Sequence, residues 1–379
     1  MRSVMVTKFV PLPANSGGKL RSLAVLRRLA RAGSVVLCCF QDATGDAEAL
    51  RREGVDVRTV PWTPDLQHTA RGVARTRSGS AGRFWDRRLA DLVVSATQEA
   101  PTDLLQVEYS QLAPYLDLGT ARTRVLDYHN IESSLALSYA RSSATPRGRL
   151  AYLESFLLRR LERRAAGRAD LVTVVSQEDG DRMPGRPREL LVCPNGWDPT
   201  SPLPPSDTPT AVFVALMAWK PNVDAAVWLG REVWPLVRAE MPEARLVLVG
   251  REPAAPVRAL AAPDVEVTGT VPDVRPHLAS ARVALAPLLS GGGTRLKVLE
   301  ALDAGRPLVS TSVGIDGLTD LVGRGVVVAD EPQDFAKRVL ELLRDPAAAA
   351  EAGLEGARAV REQYSWDRVL QPWLDRVTG

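Results

Sequence analysis

The stretch APLLSGGGTRLKVLEALDAGRPLVS, residues 286–310, decides how the rest of the chain is read. A strand from Arg282 to Ala286 runs into a loop with three consecutive glycines, Gly291, Gly292 and Gly293. A helix is expected from about Thr294, then a strand from Pro307 to Ser310. Glycines let backbone N–H groups approach a ligand closely, and a helix N-terminus carries partial positive charge, so the arrangement suits a phosphate. Lys297 and Glu300 are three residues apart and share a helix face, offering a cation and a carboxylate together. On glycine count alone, a flexible connector ahead of an ordinary amphipathic helix explains the segment equally well.

Outward from this stretch, short β-branched or Leu-rich runs alternate with longer helical patterns, which predicts parallel sheets with helices on both faces. The first half carries expected strands at Ser3–Phe9, Ser34–Phe40, Val55–Val60, Asp103–Glu108, Thr123–Tyr128, Asp170–Val175 and Glu189–Val192. The second carries them at Ala211–Leu216, Arg245–Gly250, Val265–Thr268, Arg282–Ala286, Pro307–Ser310 and Gly325–Val328. Each half reads as a Rossmann-like unit, and 379 residues exceed what one core usually organises. Six prolines fall between Pro194 and Pro209, a composition that continues neither ladder nor helix. The expected organisation is a first domain over 1–195, a Pro-rich linker over 196–209, a second domain over 210–364, and a C-terminal helix over 365–379 returning to the first domain.

Composition excludes several classes. Apolar residues make up 45% and charged residues 25%, a globular profile able to bury a large core. No apolar run approaches the roughly 20 residues that span a bilayer, and the N-terminus shows no export signal. Cys38, Cys39 and Cys193 lack metal spacing, so a reducing cytoplasm is the expected location. Only Lys8, Lys19, Lys220, Lys297 and Lys337 interrupt 43 arginines, so a lysine here is a candidate for chemistry rather than generic charge. Basic residues outnumber acidic ones 29 to 21 up to Asn195, whereas beyond it acidic residues prevail, 24 to 19. No basic stretch interleaves with stacking aromatics, which argues against nucleic acid.

The glycine-loop segment, with Asn15-Ser16-Gly17-Gly18, Asp127-Tyr128-His129-Asn130-Ile131-Glu132, Pro194-Asn195-Gly196 and Trp219-Lys220-Pro221-Asn222, resembles the large retaining family 4 of GT-B glycosyltransferases over nearly the whole chain. The resemblance implies two Rossmann-like domains facing each other across a cleft, a nucleoside-diphosphate sugar held by the second, and an acceptor approaching from the first. It implies that Lys220 and Lys297 meet the diphosphate, that Glu300 binds the ribose hydroxyls, and that His129 orients the sugar near its anomeric carbon. Gly17, Gly18, Asn195, Gly250, Val271, Gly291, Gly292, Gly293, Thr294, Arg295 and Leu296 complete the implied donor site. The family's other glutamate, eight positions before Glu300, is Gly292 here, and the arginine that commonly precedes Lys220 is absent, leaving Lys297 or Arg295 to take its charge. Gly17 and Gly18 are expected just before a helix over Lys19–Ala32, where a plain turn explains them as well as phosphate binding does.

No metal and no other cofactor is expected. Asp179-Gly180-Asp181 looks like a metal-binding pair, but Ser176 three residues ahead of Asp179 reads as a helix cap. Asn222 reads as the cap of the helix after Lys220. His277 reads as part of an apolar helix face, and His68 as a residue of a polar loop. Arginines cluster at Arg71–Arg88 and Arg159–Arg168. In the second cluster Leu150, Leu153, Phe156, Leu157 and Leu161 are expected on the opposite, inward side, leaving a solvated basic face or a contact with an anionic acceptor or membrane surface. The acceptor class stays open among small molecules, lipid-linked intermediates and glycans. A sugar-nucleotide epimerase, a pseudo-glycosyltransferase and a non-catalytic nucleotide-sugar-binding protein remain alternatives.

Overall fold

The computed structural model describes residues 1–142, 146–291 and 295–379, and the chain divides into two compact units, Met1–Pro194 with Leu370–Gly379, and Asn195–Val369. The first is built on seven strands: β1 (Arg2–Phe9), β2 (Ser34–Gln41), β3 (Asp56–Pro61), β4 (Leu104–Glu108), β5 (Thr123–Tyr128), β6 (Leu171–Val174) and β7 (Leu190–Val192). They pair in the order β3-β2-β1-β4-β5-β6-β7, every pair parallel. The second holds β8 (Thr210–Val214), β9 (Arg245–Val249), β10 (Val265–Gly269), β11 (Val283–Ala286), β12 (Leu308–Ser310) and β13 (Val326–Val328), ordered β10-β9-β8-β11-β12-β13 and again all parallel. The α/β expectation of two doubly wound sheets is met.

The cores explain the runs. Helices cover both faces of a parallel sheet, so its strands are apolar throughout rather than alternating. All five residues of β4 and all four of β11 are buried. Val4, Val6, Leu105, Val107, Leu126 and Val174 centre the first core; Phe213, Leu246, Leu248, Val283, Leu285 and Val309 centre the second. In each sheet the strand order reverses beside the first strand, between β1 and β4 and between β8 and β11. The crevice at the carboxyl ends of strands there is where open α/β sheets bind ligands.

Several local expectations are corrected. His68 lies in a helix, Leu66–Thr76, with Nε2 3.0 Å from the Arg83 carbonyl, rather than in a loop. The proline-rich segment is strapped along the second unit. The Trp197 indole and the Thr200 amide donate to the buried Asp303 carboxylate, and the Leu203 amide donates to the Ala304 carbonyl.

The helix Pro146–Ala166 exposes its arginines and half-buries Leu157 and Leu161 as expected, but not the rest of its expected inward side. Leu150, Leu153 and Phe156 are 67%, 56% and 55% exposed, while Ser155, Leu158, Glu162, Ala165 and Ala166 are buried. Glu162 sets that orientation by accepting from the Ser110 hydroxyl at 3.0 Å and the Glu132 amide at 2.9 Å. The Glu162 carboxyl thereby satisfies the Ser110 hydroxyl and the amide at the start of the helix Glu132–Ser142, at a cost in burial that pushes it up to about 7.

Candidate active site

In the second unit the candidate residues gather at the carboxyl ends of β8 and β11. Past β8 the chain turns into the helix Lys220–Trp228, whose N-cap is Trp219 with no side-chain cap bond. Asn222 is therefore not the cap. It is buried in the first turn, donating from Nδ2 to the Leu216 carbonyl at 2.9 Å and accepting from Lys297 Nζ at 2.7 Å. One amide thus pins the preceding turn and receives the lysine.

The helix after the glycine loop spans Leu296–Asp303, with Arg295 at its N-cap, two residues later than expected. Gly292, Gly293 and Thr294 lie outside the described residues. Gly291 has φ +122°, a conformation L side chains rarely adopt, and an added Cβ would come within 3.1 Å of the Arg295 guanidinium. Arg295 is buried.

Lys297 and Glu300 line one small cavity with Val212, Val214, Leu278 and Ala284. Burial, with the nearby positive charge of Arg295, pulls the Lys297 ammonium down to about 7, and its Nζ stands 5.2 Å from the Phe213 ring centroid. Burial, together with Asp273, pushes the Glu300 carboxyl up to about 7 against the opposing charge of Arg275. A cation and an acid that both change charge near neutrality, side by side at a sheet edge, form a poised site.

Lys220 differs. It is half exposed and bonds to Asp224 one turn along its own helix. Gly250 directly follows β9, where an added Cβ would collide with the Ala215 carbonyl, so the glycine is a packing requirement. Leu296 and Val271 are partly buried, and Asn195 is buried.

A second polar group forms at the carboxyl edge of the first sheet. His129, just past β5, is buried with Nε2 2.7 Å from Glu108 Oε2 and 3.5 Å from Asp127 Oδ2. Glu108 also accepts from Gln106 at 2.9 Å, so it holds Nε2 as a donor; Nδ1 has no partner among the described residues. The ring stacks on Tyr109 at 3.8 Å between centroids. Lys8 Nζ lies 4.1 Å from the Tyr109 centroid, and burial pulls its ammonium down against the charge of Glu132.

Gly17 and Gly18 belong to the first turn of the helix Gly17–Ala32 rather than preceding it, and a Cβ at Gly18 would strike the Tyr109 hydroxyl. Lys8, Glu108, Tyr109 and Arg21 were missed in the sequence. The scarcity of lysine was the one signal that pointed to Lys8.

Glu108, Asp127 and His129 bring metal-ligating atoms within 4.8 Å of one another. Asp127 is occupied by Arg21, with Nε at 2.6 Å and Nη2 at 2.9 Å. Burial alone would push its carboxyl up, but the arginine's charge and hydrogen bonds outweigh that and hold it down. The guanidinium pairs Asp127 inside the core. Ser176 caps the helix Gln177–Arg182 by accepting from the Asp179 amide at 3.1 Å.

Residues 208–345 match the family of glycosyl transferases group 1. An uncharacterized 44.6 kDa protein in the cps region of Klebsiella pneumoniae is 22% identical over 174 residues, 42% of this chain and 43% of that protein, so the chain spans under half of this curated relative. Sucrose-phosphate synthase from Thermosynechococcus elongatus superposes with TM-score 0.72 at 17% identity, over 99% of this chain and 98% of that one. Anabaena HepE in complex with UDP and glucose gives 0.69 at 17%, over 100% and 99%. A variant of S. aureus TarM in complex with fondaparinux, alpha-GlcNAc-glycerol and UDP gives 0.67 at 12%, over the full length of both chains. The reversed strand order of both sheets and these structural likenesses converge: the chain has the GT-B fold, and its residues 208–345 resemble the group 1 glycosyl transferases.

Proposed function

We propose that the protein transfers a sugar from a nucleoside-diphosphate donor to a hydroxyl acceptor, with retention at the anomeric carbon and without a metal ion. The observation that carries this reading is the partly buried pair Lys297 and Glu300, lining one cavity beside the strand-order reversal. As the bond to the sugar breaks, negative charge grows on the terminal phosphate. A preorganised ammonium in a water-poor niche stabilises that charge more than water does. Lys297 charges fully when the diphosphate arrives, taking up a proton. Glu300, as carboxylate, accepts hydrogen bonds from the ribose hydroxyls. Lys220 is held only by an exposed pair with Asp224, which costs little to break, so it can turn to the phosphate. His129 contributes a hydrogen bond to the sugar. In a retaining transfer the acceptor attacks on the face the diphosphate leaves, and the departing phosphate takes its proton, so no separate base is used. The UDP complexes of HepE and TarM make UDP-sugars the first donors to try.

The test is titration of UDP, GDP, ADP and dTDP into wild type, Lys220→Ala and Glu300→Ala, followed by product analysis with and without a chelator. One diphosphate should bind, more weakly to both variants, and the product should keep the donor's anomeric configuration with chelator present. Failure of every diphosphate to bind, or unchanged binding by both variants, overturns the proposal.

A further inference from the structure

We propose that the outward face of the helix Pro146–Ala166 docks on a bilayer surface carrying anionic lipids. Leu150, Leu153 and Phe156, more than half exposed, share an outward arc of about 140° with Arg149, Arg160, Arg163 and Arg164. The helix's two acids are turned away from this arc. Glu154 accepts from Ser78 Oγ and from the amides of Gly79 and Ser80, and Glu162 is buried. Among the described residues, Arg147, Arg149, Arg159, Arg160, Arg163 and Arg164 pair with no carboxylate, whereas Arg27, Arg58, Arg88 and Arg168 of the same unit do. Arg164 also lines a cavity with Arg75, Arg77 and the paired Arg168 and Asp117.

A solvated basic face accounts for the arginines but not for wet leucines and a phenylalanine between them. A soluble polyanion likewise satisfies only the charge. An anionic bilayer satisfies both: the apolar side chains enter the acyl boundary while guanidinium groups hydrogen-bond lipid phosphates. The proposal stands whether or not the chain transfers sugar.

Flotation of the full chain with phosphatidylcholine vesicles, with and without phosphatidylglycerol, tests it. The protein should float with the anionic vesicles only and less so at high salt. Leu153→Ser with Phe156→Ser, and separately Arg160→Glu with Arg163→Glu, should each lower partitioning by at least about tenfold. Hydrogen exchange on wild type gives a readout independent of how the variants fold: residues 146–164 should gain protection on the vesicles. No preference for anionic vesicles, partitioning indifferent to the serine pair, or flotation without protection of that helix overturns the proposal.

Discussion

Replacing Lys297 by Met separates the cost of a buried charge from its use. The lysine falls from an ordinary 10.5 to about 7 because burial removes water from the ammonium and Arg295 repels it. That fall of about 3.5 units, at about 1.4 kcal/mol each, places a penalty of about 5 kcal/mol on the charged form. Between pH 7 and 10.5 the unfolded chain holds more protons than the folded one, so stability rises with pH across that window and the penalty is complete below it. Methionine keeps a similar stem. It gives up the bond to Asn222, worth about 1 kcal/mol, and the contact over Phe213, worth about another. The variant should therefore be about 3 kcal/mol more stable than wild type at pH 6 and lose that advantage by pH 10. Denaturant unfolding at pH 6, 8 and 10 measures the difference. Diphosphate affinity should move oppositely. In wild type it weakens as pH rises above 7, whereas in the variant it is about ten- to a hundredfold lower and no longer weakens above pH 7. A stability offset that ignores pH would refute the placement of an uncompensated ammonium in that cavity.

Glu300 binds hydroxyls as a carboxylate and is pushed up to about 7, so donor affinity should fall as pH drops through 7, and Glu300→Gln should abolish that limb in a calorimetric pH series. Glu162 is raised from 4.5 to about 7 by burial, so its contribution is complete below 4.5 and lost as pH rises through 7. Glu162→Gln should match wild type near pH 5 and exceed it by about 3 kcal/mol at pH 8, read from denaturant midpoints. Gly250→Ala drives a methyl into the Ala215 carbonyl and should cost about 2 to 3 kcal/mol, seen as a lowered melting temperature.

The strands were legible because a parallel sheet covered on both faces writes itself as unbroken apolar runs. Lys297 and Glu300 were legible because residues three positions apart on a helix share a face. The carboxylates and arginine around His129 were not legible, since Arg21 meets Asp127 across 106 residues and no local pattern encodes that approach. Asn222 was misread for a related reason. A residue type that often caps helices was committed to a lysine 75 positions away, and Trp219 took the cap position without a side-chain bond. Along the helix Pro146–Ala166, leucine spacing does not show that Leu150, Leu153 and Phe156 stay exposed while Glu162 is buried, because Glu162 answers donors on Ser110 and Glu132 outside that helix.

The sequence by itself determined the two sheets and the shared helix face of Lys297 and Glu300, both consequences of periodicity within a few residues. Tertiary structure alone decided which charges lose their water, which arginines are neutralised and which leucines stay wet. Desolvation depends on what packs against a group in space, and that is set by contacts far apart along the chain.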